Sequence, residues 1–104
     1  MWSLLLTACL SVHLPEPNAD MVALAQRAQA DATFESLAAG RTLVLKRCAG
    51  CHRPPEPAMT ADEDWPELLE QMGRKARLGP EDTARIDAYL RASAALPPPA
   101  DARR

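Results

Sequence analysis

Gly40-Arg41-Thr42-Leu43-Val44-Leu45-Lys46-Arg47-Cys48-Ala49-Gly50-Cys51-His52 is the stretch on which the reading of this chain turns. Its first half has helical spacing. Phe34, Leu37, Val44 and Cys48 lie near one face of a helix expected over about 34–47, with Asp31 and Thr33 able to cap its start. Gly40 interrupts that face. A glycine inside a helix costs roughly 1 kcal/mol against alanine, so it is useful only where another element crosses closely. The second half ends in two thiols three positions apart, followed at once by an imidazole. A zinc ribbon would need a second ligand pair, and downstream of His52 there is no Cys or His at all.

The rest of the chain agrees with a small helical domain. It has 104 residues and a mass of 11.3 kDa, enough for one core. Apolar residues make up 47%, but 20 of them are alanines, and only three Val, one Ile and one Phe are present. A sheet protein needs more β-branched and aromatic residues, so the composition argues for an all-α fold. Ten prolines against four glycines point to stiff connections. A net charge of −2 argues against a general nucleic-acid binder. No run of 18 apolar residues exists, so no transmembrane helix is expected. A helical domain with so thin a core commonly needs a disulfide, a metal or a buried cofactor.

The other elements read outward from there. Leu14-Pro15-Glu16-Pro17-Asn18 is expected as an extended, proline-stiffened linker, with His13 a solvated residue before it. Asn18 is suited to cap a helix over about 19–30, whose alanine-rich face promises weak packing. Residues 53–64 read as a loop rich in proline and acid. Asp64 and Pro66 then suit the start of a third helix, with Trp65, Leu68, Leu69 and Met72 in one apolar stripe. Gly73 and Gly79 bracket a basic turn. Gly79-Pro80-Glu81-Asp82 opens a last helix over about 80–95, packing through Ile86, Tyr89 and Leu90, and Pro97-Pro98-Pro99 stops it before a loose tail over 97–104.

C-x-x-C-H is the attachment signature of a c-type haem. Two thiols about one turn apart, Cys48 and Cys51, can add to the two vinyl groups of one porphyrin, and His52 then falls beneath the iron. A thioredoxin-type pair expects a βαβ setting, and a plain disulfide leaves His52 unexplained. With no histidine left, the candidate sixth ligands are Met59, in the proline loop, and Met72, on the stripe with Trp65. Met72 is otherwise read as core. The free N–H of His52 should go to a backbone carbonyl, which fixes the ring orientation.

On these residues the chain resembles the class I cytochrome c family over about 33–95. Gly40-x-x-Leu43-Val44-x-x-x-Cys48 is similar to the family's N-terminal helix, and Ile86-x-x-Tyr89-Leu90 looks like its C-terminal helix. The resemblance implies a small bundle around one haem, with those two helices crossing closely at Gly40. It implies a domain over 33–96, Met72 as the methionine after the tryptophan, and one of Pro54, Pro55 and Pro57 as the source of the carbonyl that orients His52. Trp65 is read either on the haem or as a core anchor. Leu6-Thr7-Ala8-Cys9 resembles a bacterial lipobox, though the apolar stretch before it is short and carries no Lys or Arg. That resemblance implies a signal segment over 1–8, lipidation at Cys9, and a linker with one helix over 9–32.

The function expected is a single-electron carrier with one covalent haem c, His52 and Met72 on the iron, serving redox partners on the periplasmic side of a bacterial membrane. It is not expected to be an enzyme itself. The alternative is a haem-based ligand sensor or peroxidase-like catalyst with an open sixth site. Charge is segregated: six acids and no base run from Glu56 to Glu70, while Lys46, Arg47, Arg53, Arg74, Lys75 and Arg77 flank the motif and Met72. Those bases form either a rim that steers an acidic partner or ordinary solvated faces.

Overall fold

A computed structural model describes residues 14–48 and 55–96, and every regular element in them is helical. The fold is all-α, as the composition implies. Among the described residues no helix is long and apolar enough to cross a membrane.

Helix α1 spans Ala19–Gln26 and starts as expected: the Asn18 side-chain oxygen accepts the Met21 N–H at 2.9 Å. It ends four residues early. The Gln26 amide donates to the Ala32 carbonyl at 3.0 Å, folding the chain back so that Ala32 is buried. The alanine-rich face also packs better than its composition promises, because Met21 is fully buried. The segment before α1 is extended but docked. Leu14 is buried, its carbonyl accepts from Arg41 Nε at 3.1 Å, and the Tyr89 hydroxyl donates to the Pro15 carbonyl at 2.6 Å.

Helix α2 spans Phe34–Leu43 and continues as a single π-turn over Val44–Cys48, so the helical run reaches the first cysteine of the motif. Thr33 and Ser36 close a reciprocal cap at its start, with bonds of 3.0 and 2.9 Å. Leu37 and Val44 are fully buried, but Phe34 stays 55% exposed and leaves the face predicted for it. Sitting at the first helical position, it faces away from the core that Leu37 enters.

The loop expected over 53–64 contains a 3₁₀ turn at Pro57–Ala61, inside which Thr60 is buried and its hydroxyl donates to the Pro57 carbonyl at 2.8 Å. Helix α3, Trp65–Lys75, follows. Asp64 sits at its cap position without bonding through its side chain, and Pro66 occupies the first turn. The apolar stripe divides: Trp65 and Leu69 are buried, Met72 is half-buried, and Leu68 is exposed. Gly73 lies inside the helix rather than at its end. A Cβ there would stand 2.9 Å from Thr83 Oγ1, so the glycine is a packing contact. The turn itself comes later, at Arg77, whose φ is 59°. Leu78 N–H reaches the Gly73 carbonyl at 2.8 Å and Arg77 N–H the Arg74 carbonyl at 3.1 Å, a Schellman closure with arginine where glycine is usual.

Helix α4 spans Pro80–Ala95, as predicted, and Ile86, Tyr89 and Leu90 have no exposed surface. It crosses α2 at Gly40. A Cβ built on Gly40 would overlap the Arg85 carbonyl oxygen and lie 3.0 Å from Tyr89 Cβ. The glycine is there because two backbones meet.

Candidate cofactor site

Cys48 closes the π-turn of α2 and is half-buried against the core, as are Met59, Met72 and Leu78. Cys51 and His52 lie outside the described residues, as do Cys9, His13, Arg53, Pro54 and the tail over 97–104. Of the residues expected to hold a haem, Cys48 and Met72 are therefore the two whose surroundings can be given.

Two bonds relate them. Arg47, directly before Cys48, donates from its guanidinium to the Ala76 carbonyl at 2.6 Å. That carbonyl caps α3 one turn beyond Met72, so the start of the motif and the methionine end of α3 are tied at one corner. The other end of α3 is fixed by Trp65, whose indole N–H donates to Asp87 Oδ1 of α4 at 2.7 Å. Arg91 grips the same carboxylate at 2.9 and 3.1 Å. An indole donor buried with a charged acceptor makes a strong, directional bond, so α3 is held to α4 at its N-terminus and to the end of the α2 run at its C-terminus. Trp65 is thus an anchor in the core.

Met59 is placed differently. Its sulfur accepts the Glu56 N–H at 3.3 Å, within its own 3₁₀ turn, and its N–H returns to the Glu56 carbonyl at 3.0 Å. The sulfur is committed locally. Pro55, one of the carbonyl candidates for His52, is buried, and Pro57 spends its carbonyl on Thr60.

Sequence reasoning missed Asp87, Arg41 and Leu14. Asp87 and Arg91 stand at i and i+4 on the last helix, which is a visible pair, but nothing local marks Trp65 as its third member. Arg41 was hidden because its acceptor is a backbone carbonyl in the segment read as linker.

Charge is separated as expected. The six acids from Glu56 to Glu70 are exposed, and so are Lys46, Arg47, Arg74, Lys75 and Arg77. The bond from Arg47 to Ala76 draws the two basic runs together, with Arg74 also paired to Glu70 at 2.7 Å. Burial raises the Tyr89 phenol above its ordinary range, with Arg41 pulling the other way. Among the described residues no three His, Cys, Asp or Glu side chains gather into a metal-binding group. Comparison with family models, curated proteins and solved structures finds no match for the chain.

Proposed function

We propose that this domain is a single-haem c-type cytochrome that carries one electron between redox partners. Cys48 and Cys51 would hold the haem covalently, His52 would be one axial ligand and Met72 the other. The observation that carries the reading is C-x-x-C-H beginning where α2 ends, on a helix that crosses α4 at a glycine without room for a Cβ. The residues described fit such a group. Cys48, which would form a thioether to the porphyrin, and Met72, which would offer its sulfur to the iron, are both half-buried against one apolar core, and Arg47 beside Cys48 bonds to the Ala76 carbonyl at the end of α3.

When bound, the haem supplies a one-electron couple at its iron. The chain's own residues set its conditions. A neutral thioether from Met72 raises the potential by favouring ferrous iron. Trp65, Asp87 and Arg91 hold α3 so that Met72 keeps one position. Met59 is the weaker candidate because its sulfur is engaged in its own turn. Cys9 as a lipid anchor, with 1–8 as its signal segment, would keep the carrier on the periplasmic side of a bacterial membrane.

The test is spectroscopic. Oxidised protein with a bound Met ligand has a weak far-red sulfur-to-iron band. Met72→Ala abolishes it, lowers the potential and opens the iron to carbon monoxide, whereas Met59→Ala leaves all three unchanged. Wild-type protein that binds carbon monoxide readily and lacks the band yields the carrier reading to a ligand-binding or peroxidase-like domain.

A further inference from the structure

Helix α2 carries an outer face that the core does not use. Phe34, 55% exposed, and Leu45, 44% exposed, are two of the three large apolar side chains left in the open among the described residues. They stand at i and i+11 along the same helical run, with Arg41 at i+7 between them. Arg41 is the residue whose guanidinium holds the Leu14 carbonyl. Leu14, the first described residue, is thus held at Arg41, between the two along the helix.

From this we infer that the Phe34–Leu45 face of α2 rests on the surface of an anionic lipid bilayer. The inference deepens the lipid-anchor reading and rests on it for the leash. With Cys9 anchored, only residues 10–13 separate it from Leu14, at most about 17 Å of extended chain. So short a leash, clamped by Arg41 and Tyr89 at its far end, keeps this edge of the domain close to the bilayer. Charge agrees at the Leu45 end. Lys46 and Arg47 follow it, and the bond from Arg47 to Ala76 brings Lys75 and Arg77 to the same corner, all exposed. Phosphate headgroups complement that corner, while Phe34 and Leu45 enter the interface beside it. The Phe34 end carries exposed Asp31 and Glu35 instead. The attraction to anionic lipid is thus confined to the Leu45 end.

Hydroxyl-radical footprinting tests this on the full chain, with and without vesicles of phosphatidylethanolamine and phosphatidylglycerol. Labelling of Phe34 and Leu45 should fall at least threefold on vesicles, while that of Leu68 on α3 stays level. In a soluble Cys9→Ser form, Phe34→Ser with Leu45→Ser should lower the fraction bound to the same vesicles at least threefold, and Lys46→Gln with Lys75→Gln should flatten its salt dependence. Phe34 and Leu45 already protected without lipid would mean that residues 1–13 or a second copy covers the face, and would overturn the inference. Acylated Cys9 with both side chains unprotected on vesicles also overturns it. Unmodified Cys9 with both protected sinks the anchor and leaves the lipid-facing surface standing.

Discussion

Helix α4 holds α2 and α3 by different means. Against α2 it makes a crossing of backbone on backbone: Gly40 meets the Arg85 carbonyl, and Leu37, Val44, Ile86 and Tyr89 are fully buried around it. Against α3 it relies on particular side chains. Trp65 bonds to Asp87, Gly73 meets the Thr83 side chain, and Leu68 and Met72 are left partly in the open. The first contact has no adjustable part. The second has several, and it is the one that carries the candidate iron ligand. A fold stabilised at one crossing leaves the opposite flank able to accept a group that needs its own geometry.

The two glycines sharpen this contrast most. Gly40→Ala forces a Cβ into a backbone carbonyl, and a loss of about 3 kcal/mol or more in urea unfolding is expected. Gly73→Ala meets the Thr83 hydroxyl, which can move only by giving up its bond to the Gly79 carbonyl, but it gains roughly 1 kcal/mol of helix propensity, so its net loss should be well below that at Gly40. Equal losses at the two positions would erase the distinction.

The polar anchor of α3 comes next. Asp87→Ala strands a buried indole N–H and should cost about 1–3 kcal/mol, and Asp87→Asn, which keeps an acceptor, clearly less. If Met72 is an axial ligand, Asp87→Ala should also weaken the far-red band that Asp87→Asn preserves.

Tyr89 reports on the α2 side through pH. Its hydroxyl donates to Pro15, so Tyr89→Phe should lose about 1 kcal/mol at neutral pH. Burial raises the folded phenol's pKa, so the folded state holds its proton more tightly than the unfolded chain. That contribution is fully present below about pH 10 and is lost as pH rises through the folded value. Wild type and Tyr89→Phe should therefore converge in stability above about pH 10, as followed by urea melts at stepped pH. At Arg77 the expected effect has the opposite sign. Relieving its left-handed conformation with Arg77→Gly should stabilise by about 1 kcal/mol, because the Schellman closure of α3 prefers glycine.

Much of the α2–α4 side was legible in the sequence, because local signals and tertiary contacts agree there. Thr33 caps as its type suggests, Gly40 marks a crossing, and Ile86, Tyr89 and Leu90 share one face. The misreadings occur where a distant partner decides. Periodicity puts Leu68 and Phe34 on apolar faces, but it cannot say which side of a stripe the neighbouring helix covers. Leu14 looked like linker because the groups that hold it, Arg41 and Tyr89, are far along the chain. Gly73 looked like a helix end and is a packing contact, since the stop signal is an arginine at positive φ, which composition does not reveal. At the candidate site the motif itself was fully readable in Cys48, Cys51 and His52. The structure adds one difference between Met59 and Met72 that spacing does not carry: the Met59 sulfur accepts the Glu56 N–H.

The central claim is that Cys48-Ala49-Gly50-Cys51-His52 carries a covalent haem. Intact mass of the full chain, co-expressed with a cytochrome c maturation system and extracted with acid acetone, tests it most directly. The account predicts one haem that stays with the polypeptide, with attachment weakened by Cys48→Ala and with maturation lost in His52→Ala. A chain of unmodified mass at these cysteines, or a haem that leaves with the solvent, would contradict it.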